Sequence, residues 1–260
     1  MAGVKKIGFD CRSRRGCAGF SLVEMMVSMT IGLVVIAAAG QLFISSKRIF
    51  NLQQIQSSFQ EQATLLGTMI YNLLRQTGNI DVSSASIVRE QLFRENATFP
   101  ANGQTIIGVS GTTTRTVLNP DGAELQTFPT DAIAFRFEGG PGILDCAGNP
   151  TTAGTYYEHA LLINDYQLIC RPAIGADPVA LIGVTTRLAS RSVRVLGLKI
   201  LYGVDENGDG SINDYNRAAE MTAPDWKAVI NSWLDVTIQA GDLPPVTMHY
   251  DIHYANLSPS

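Results

Sequence analysis

Residues 19–44 read GFSLVEMMVSMTIGLVVIAAAGQLFI, and Glu24 is the only ionisable side chain among them. From Phe20 to Ile44 this is 25 residues, about 37 Å of helix at 1.5 Å per residue, enough to cross a hydrocarbon core of roughly 30 Å. Before it stands MAGVKKIGFDCRSRRGCAG, residues 1–19, with Lys5, Lys6, Arg12, Arg14 and Arg15 against Asp10 alone. That basic flank predicts a leader on the cytoplasmic side, with everything after Ile44 exported. A secretory signal places its cleavage site after the apolar run. Here the small pair Ala18-Gly19 precedes it, so a cut there removes the cations and keeps the apolar helix.

Glu24 stands out physically. A carboxylate inside a membrane-spanning stretch costs about 2.5–3.5 kcal/mol on insertion scales unless it finds a partner. A cut after Gly19 creates an ammonium on Phe20, four residues away, which can pair with Glu24 within one chain or between neighbours. The alternative is a carboxylate that reaches the headgroups unaided.

The hexapeptide Gly19-Phe20-Ser21-Leu22-Val23-Glu24, with its basic leader and the apolar run that follows, resembles the type III signal of type IV pilins and type II secretion pseudopilins. The resemblance implies that a prepilin peptidase cuts after Gly19 and N-methylates Phe20. Glu24 is then the fifth mature residue, the one that pairs with a neighbour's N-terminus during assembly. One departure is visible: many major pilins carry a proline about twenty residues into the mature helix, and here the first proline is Pro100.

Composition fits an exported head on an apolar stalk. Of 260 residues, 45% are hydrophobic and 16% charged, with a net charge of -4. Without residues 1–19 the chain holds 14 Lys+Arg and 22 Asp+Glu, a net charge of -8. This excludes a disordered tail, a collagen-like repeat and a basic nucleic-acid binder, and no nucleic acid partner is expected.

Beyond Ile44 the helical pattern continues. Leu52, Ile55, Phe59, Ala63, Leu66, Ile70 and Leu73 recur every three or four residues, while Gln53, Gln54, Gln56, Ser57, Gln60 and Gln62 fall largely elsewhere. The spacing predicts an amphipathic helix with one core-facing stripe, stopped at Gly78-Asn79. Phe20 to Thr77 makes about 87 Å of helix if unbroken. A hairpin broken near Ser45-Ser46 is the alternative, but neither Gly nor Pro interrupts residues 41–66.

Four segments follow from these patterns: residues 1–19 a cleaved leader, 20–44 the transmembrane or filament-core half of the helix, 45–78 its amphipathic half, and 79–260 a β-rich head. Residues 79–130 are weakly patterned, with short strands such as Thr105–Val109. Ile133, Phe135 and Phe137 alternate with Ala134 and Arg136, one buried face against one open one. A hairpin turning at Asn164-Asp165, a long strand over Ser192–Val204, and two more around Leu234 and Tyr250 complete the head. The expected class is α+β: a long N-terminal helix packed against a mainly antiparallel sheet, type IV pilin-like by resemblance.

Cys146 and Cys170 survive the proposed cut. In an exported domain they most simply form a disulfide, closing a loop of about 25 residues worth around 3 kcal/mol. A reactive or metal-ligating pair lacks a His at ligand spacing. Residues 205–216 read DENGDGSINDYN. Asp205, Asn207, Asp209, Ser211 and Asn213 place oxygens at loop positions 1, 3, 5, 7 and 9, with Gly210 at 6, as in a calcium loop. Position 12 is Asn216 rather than a bidentate Glu, so calcium would be the one possible cofactor and weakly held. A turn rich in Asx hydrogen bonds is the equal alternative. His249, Asp251 and His253 share one face of the last strand, either a zinc set or the polar side opposite Met248, Tyr250, Ile252 and Tyr254. The pattern favours the polar side.

Tyr202-Gly203-Val204-Asp205 with its Asp/Asn-Gly repeats, Asp225-Trp226 before a strand, and the cysteine pair are similar to the PilW group of minor pilins. That resemblance implies a non-enzymatic subunit that helps initiate a type IV pilus. Its implied partners are the prepilin peptidase, other minor and major pilins, a tip adhesin and the inner-membrane assembly platform. It further implies an inner-membrane precursor with a periplasmic head, later carried to the cell surface. A J-type minor pseudopilin of type II secretion fits the same leader, and a tethered calcium-dependent binding module is the reading from another class. No phosphate loop with a Lys, no G-x-S-x-G elbow and no H-E-x-x-H occurs; Gly108-Val109-Ser110-Gly111 falls one residue short of the elbow.

Overall fold

The computed structural model describes residues 21–80, 89–111, 115–118, 125–172, 177–183, 193–241 and 243–257. The chain divides into two compact units, Met1–Leu52 and Gln53–Ser260. The helix α1, Leu22–Leu74, contributes its first part to one and its last part to the other. The sequence places the helix over residues 20–77; of these, Phe20 lies outside the described residues, and Arg75–Gly78 form the closing turns.

In the first unit the described residues are the helix and the Ser21 before it, and the large apolar side chains stand exposed. In the second unit the stripe becomes the core seam. Ile55, Phe59 and Ala63 are partly buried, and Leu66, Ile70, Leu73 and Leu74 are buried. Leu52, read from sequence as part of that stripe, is 52% exposed and is the last residue of the first unit. The helix ends where expected. Gly78 has a φ of 71°, the left-handed region that glycine enters without a steric penalty, and its N–H donates to Arg136 O at 3.0 Å.

After the short α2, Arg89–Leu92, the described residues form eleven strands. In chain order they are β1 Ile106–Val109, β2 Arg115–Leu118, β3 Leu125–Phe128, β4 Ala132–Glu138, β5 Tyr156–Asn164, β6 Gln167–Arg171, β7 Val179–Gly183, β8 Val193–Val204, β9 Asp214–Asn216, β10 Val229–Ala240 and β11 Val246–His253. One antiparallel sheet has the order β1-β4-β5-β6-β7, a second β11-β10-β8-β9, and β2 with β3 forms a separate hairpin. The bridge Thr130↔Leu198 and the Asp131 carboxylate, which accepts from Gly111 N at 2.6 Å and Ile200 N at 2.8 Å, tie the lead into β4 to β8. Phe135, Leu161 and Leu168 from the first sheet join Leu198, Ile200, Leu234 and Val236 from the second and Leu66, Ile70 and Leu73 from α1 in one core. The expected class therefore stands: α+β, a long N-terminal helix packed on antiparallel sheets.

Two local expectations shift. The β5–β6 turn is centred on Asp165-Tyr166, one residue later than read, with φ of 46° and 64° as a two-residue type I′ hairpin requires. Arg136 is buried at 3% exposure instead of facing solvent. Its guanidinium lies 4.5 Å from the Phe99 ring centre and 5.3 Å from that of Phe93. Nε donates to Gln104 O, Nη1 to Arg94 O at 2.6 Å and Nη2 to Phe93 O at 3.0 Å. A strand pattern cannot foresee this, because the segment covering that face, Phe93–Gln104, has no periodicity of its own.

Candidate functional site

Residues 21–46 hold apolar, small and neutral polar side chains around the single acid Glu24, and Lys47 and Arg48 are the first cations after it. Val and Ile, which lose rotamer freedom in an isolated helix, recur here, so a helix in this stretch gains its stability from its surroundings rather than from propensity. Met25 N donates to Ser21 O at 3.1 Å, which makes Ser21, among the described residues, the first to accept from the helix, and Glu24 lies in its first turn. The N–H groups of a helix's first turn give that end positive character, so a carboxylate is favoured at this position.

The surrounding surface is apolar. Leu22 is 76% exposed, and Leu33, Val34, Ile36, Leu42 and Phe43 are exposed to a similar degree. The helix is long and apolar enough to cross a membrane, and none of its most apolar window is buried within the chain. Each such side chain gains about 1.5–3 kcal/mol when it leaves water. Lipid or the apolar helices of other chains can supply that environment. Gly32 and Gly40 have no atom within 4 Å of where a Cβ would sit. Among the described residues, their small size therefore answers no packing contact.

Gly19 and Phe20, the residues expected to be cut and methylated, lie outside the described residues. Cys146 and Cys170 are joined in a disulfide with Cα atoms 5.9 Å apart, tying the loop after β4 to β6. Both are buried.

The Asp205 loop is held by its own hydrogen bonds. Asp205, itself buried, accepts from Gly208 N at 2.8 Å, Asp209 N at 3.2 Å and Gly210 N at 2.8 Å. Asp209 accepts from Ser211 N at 2.8 Å and from Asn207 Nδ2 at 3.0 Å, and Asn213 Oδ1 accepts from Glu206 N at 2.8 Å. These bonds hold the Asp209 carboxyl below the usual range, with Ser211 N–H the largest cause. Asn216 belongs to β9 and pairs with Tyr202. Among the described residues no three His, Cys, Asp or Glu side chains are placed to hold a metal.

The last strand shows the polar row. His249, Asp251 and His253 face solvent, while Ile252 and Tyr254 are buried. His249 does not join its neighbours on β11: its Nδ1 lies 2.6 Å from Asp235 Oδ1, which also accepts from Trp233 Nε1 at 2.7 Å. The β10–β11 register, which sets Asp235 opposite His249, produces that pair. The two stretches that carry the finer resemblance also meet, since the Tyr202 and Trp226 rings are edge to face at 4.8 Å.

One comparison with known proteins bears on the first unit. Residues 14–40 match the prokaryotic N-terminal methylation motif. The match spans the end of the basic leader, Glu24 and most of the apolar run. A search among curated proteins finds no match. Among solved structures, the chain is similar to a type IV-like pilin from Thermus thermophilus, with 11% identity, a TM-score of 0.43, and coverage of 76% of this chain and 98% of that one.

Proposed function

We propose that this chain is a structural subunit of a type IV pilus, a minor pilin similar to the PilW group that helps initiate assembly. In this reading a prepilin peptidase removes residues 1–19 and methylates Phe20. The helix then holds the precursor in the inner membrane with the head in the periplasm, until the assembly platform passes it to other minor and major pilins beneath a tip adhesin. The observation that carries the reading is a methylation motif leading into an apolar helix with no burial of its own and one acid near its start. Glu24 then neutralises the ammonium of a neighbouring Phe20 where both are withdrawn from water, a setting in which an unpaired charge is heavily penalised.

The test is Glu24→Val. The variant should reach the membrane fraction in normal amount and be depleted about tenfold or more from sheared filaments, as expected when one buried charge loses its partner. Normal incorporation of the variant would contradict the proposal.

A further inference from the structure

The outer face of the second sheet carries a planar cluster of side chains that filament assembly does not use. On β10, Trp233 and Asp235 alternate with the buried Ser232, Leu234 and Val236. Strand register sets Asp251 and Leu201 on either side of Trp233, and His249 and Lys199 on either side of Asp235. Two aromatic side chains stand open here, Trp233 at 37% and Tyr215 at 39% exposure.

Hydrogen bonds within the face fix the indole. Trp233 Nε1 donates to Asp235 Oδ1 at 2.7 Å, and His249 Nδ1 lies 2.6 Å from the same oxygen. On the other flank Tyr215 Oη donates to Asn231 Oδ1 at 3.4 Å, and Asn231 Nδ2 donates to Asp251 Oδ1 at 2.6 Å. Each carboxylate spends Oδ1 on these bonds and keeps Oδ2. An imidazole Nδ1 that close to a carboxylate carries the hydrogen, so the neutral ring keeps Nε2 as an acceptor, on a side chain 58% exposed. The aromatic plate is therefore held in place before any ligand arrives, with acceptors on two sides of it.

Charge and chemistry narrow the occupant. Asp235 and Asp251 flank the indole, so an anion is repelled. Lys199 already sets a cation beside Asp235 in register, and His253 follows Asp251 on β11, so a cationic partner would find Asp251 alone. An apolar side chain would cover the indole and leave the acceptors unpaired. A neutral molecule with a C–H face and a rim of hydroxyl donors satisfies both. Cross-strand neighbours stand about 4.5–5.5 Å apart, the span of a single sugar ring. We infer that this face binds a neutral pyranose of a glycan, stacked on Trp233, with its hydroxyls donating to Asp235 Oδ2, Asp251 Oδ2 and His249 Nε2.

The test presents the full chain, in a polyoxyethylene detergent that carries no sugar, to an array of immobilised glycans. Neutral and sialylated members stand beside a polylysine control, and host-type and bacterial cell-wall glycans occupy separate sectors, so the sector bound gives the source. At least one neutral glycan should bind, about tenfold or more tighter than its sialylated counterpart, and Trp233→Ala should lose about tenfold or more at an unchanged melting temperature. Trp233→Phe, which keeps an aromatic plate, should retain more of the affinity than Trp233→Ala. The chain has two tryptophans and Trp226 is buried, so the free sugar of the bound glycan should shift the emission of wild type and not of Trp233→Phe. An array with no neutral glycan bound, equal binding by Trp233→Ala, or a preference for sialylated glycans or polylysine would overturn the assignment. None of these outcomes bears on the filament reading, which rests on the other unit.

Discussion

The Tyr250 ring lies against Gly67 so closely that a Cβ on Gly67 would come within 2.7 Å of Tyr250 Cε1. Tyr250 Oη also donates to Ala63 O at 3.3 Å, one helical turn earlier. The amphipathic part of α1 thus seats on the second sheet through one aromatic side chain and one missing one. Gly67→Ala should destabilise the head by about 1–2 kcal/mol, overpacking outweighing the better helix propensity of Ala. Denaturant unfolding of the full chain in detergent measures it. Gly40→Ala, which meets nothing within 4 Å and lies in the first unit, should not destabilise the head in the same experiment.

Arg136 is a second fixed point, joining the Phe93–Gln104 segment to β4. Burial lowers its pKa to about 10, with Glu158 at 3.8 Å opposing that shift, so it stays charged at neutral pH. Arg136→Ala leaves the carbonyls of Arg94 and Gln104 without this donor, while Phe93 O keeps Gly103 N at 2.7 Å, and should cost about 3–5 kcal/mol. Arg136→Lys should recover only part of that, because an ammonium cannot reproduce the planar fork. Equilibrium unfolding of the two variants separates these effects.

Acid should weaken the head through His159. Its ring is buried among Phe135, Phe137 and Tyr157, with centroids 5.7, 5.2 and 6.2 Å away, and burial holds its pKa below the usual 6.5. The unfolded chain therefore takes a proton on this ring at a higher pH than the folded chain does. Stability from this group is complete above about pH 6.5 and falls as pH drops below it. Melting temperatures from pH 7.5 to 5 should decline in wild type and decline less in His159→Gln.

How much of this was legible in the sequence follows from what each pattern encodes. The apolar run, the stripe from Ile55 to Leu73 and the strands around Phe135, Leu198, Leu234 and Ile252 are periodic because one face of each is buried, and periodicity survives translation into sequence. Arg136 broke the rule because a non-periodic segment covers it. The pairing of His249 with Asp235 depends on strand register, which no single strand contains. That information exists only once the chain has folded.

The Asp205 loop is the case in which spacing serves two structures equally well. Its oxygens accept the loop's own N–H groups, two carboxylates alone belong to the five-position set, and Asn216 is engaged in β9. A ligand bound only by the folded state raises the melting temperature. Millimolar calcium should therefore leave the melting temperature of the full chain unchanged. A clear upward shift would show that the loop is a calcium site.

Intact-mass and peptide mass spectrometry of the protein isolated from its native membrane tests the central claim most directly. The account predicts an N-terminus at Phe20 with one added methyl group on its nitrogen and no trace of residues 1–19. A chain that still begins at Met1, or one cut on the far side of Ile44, would contradict it.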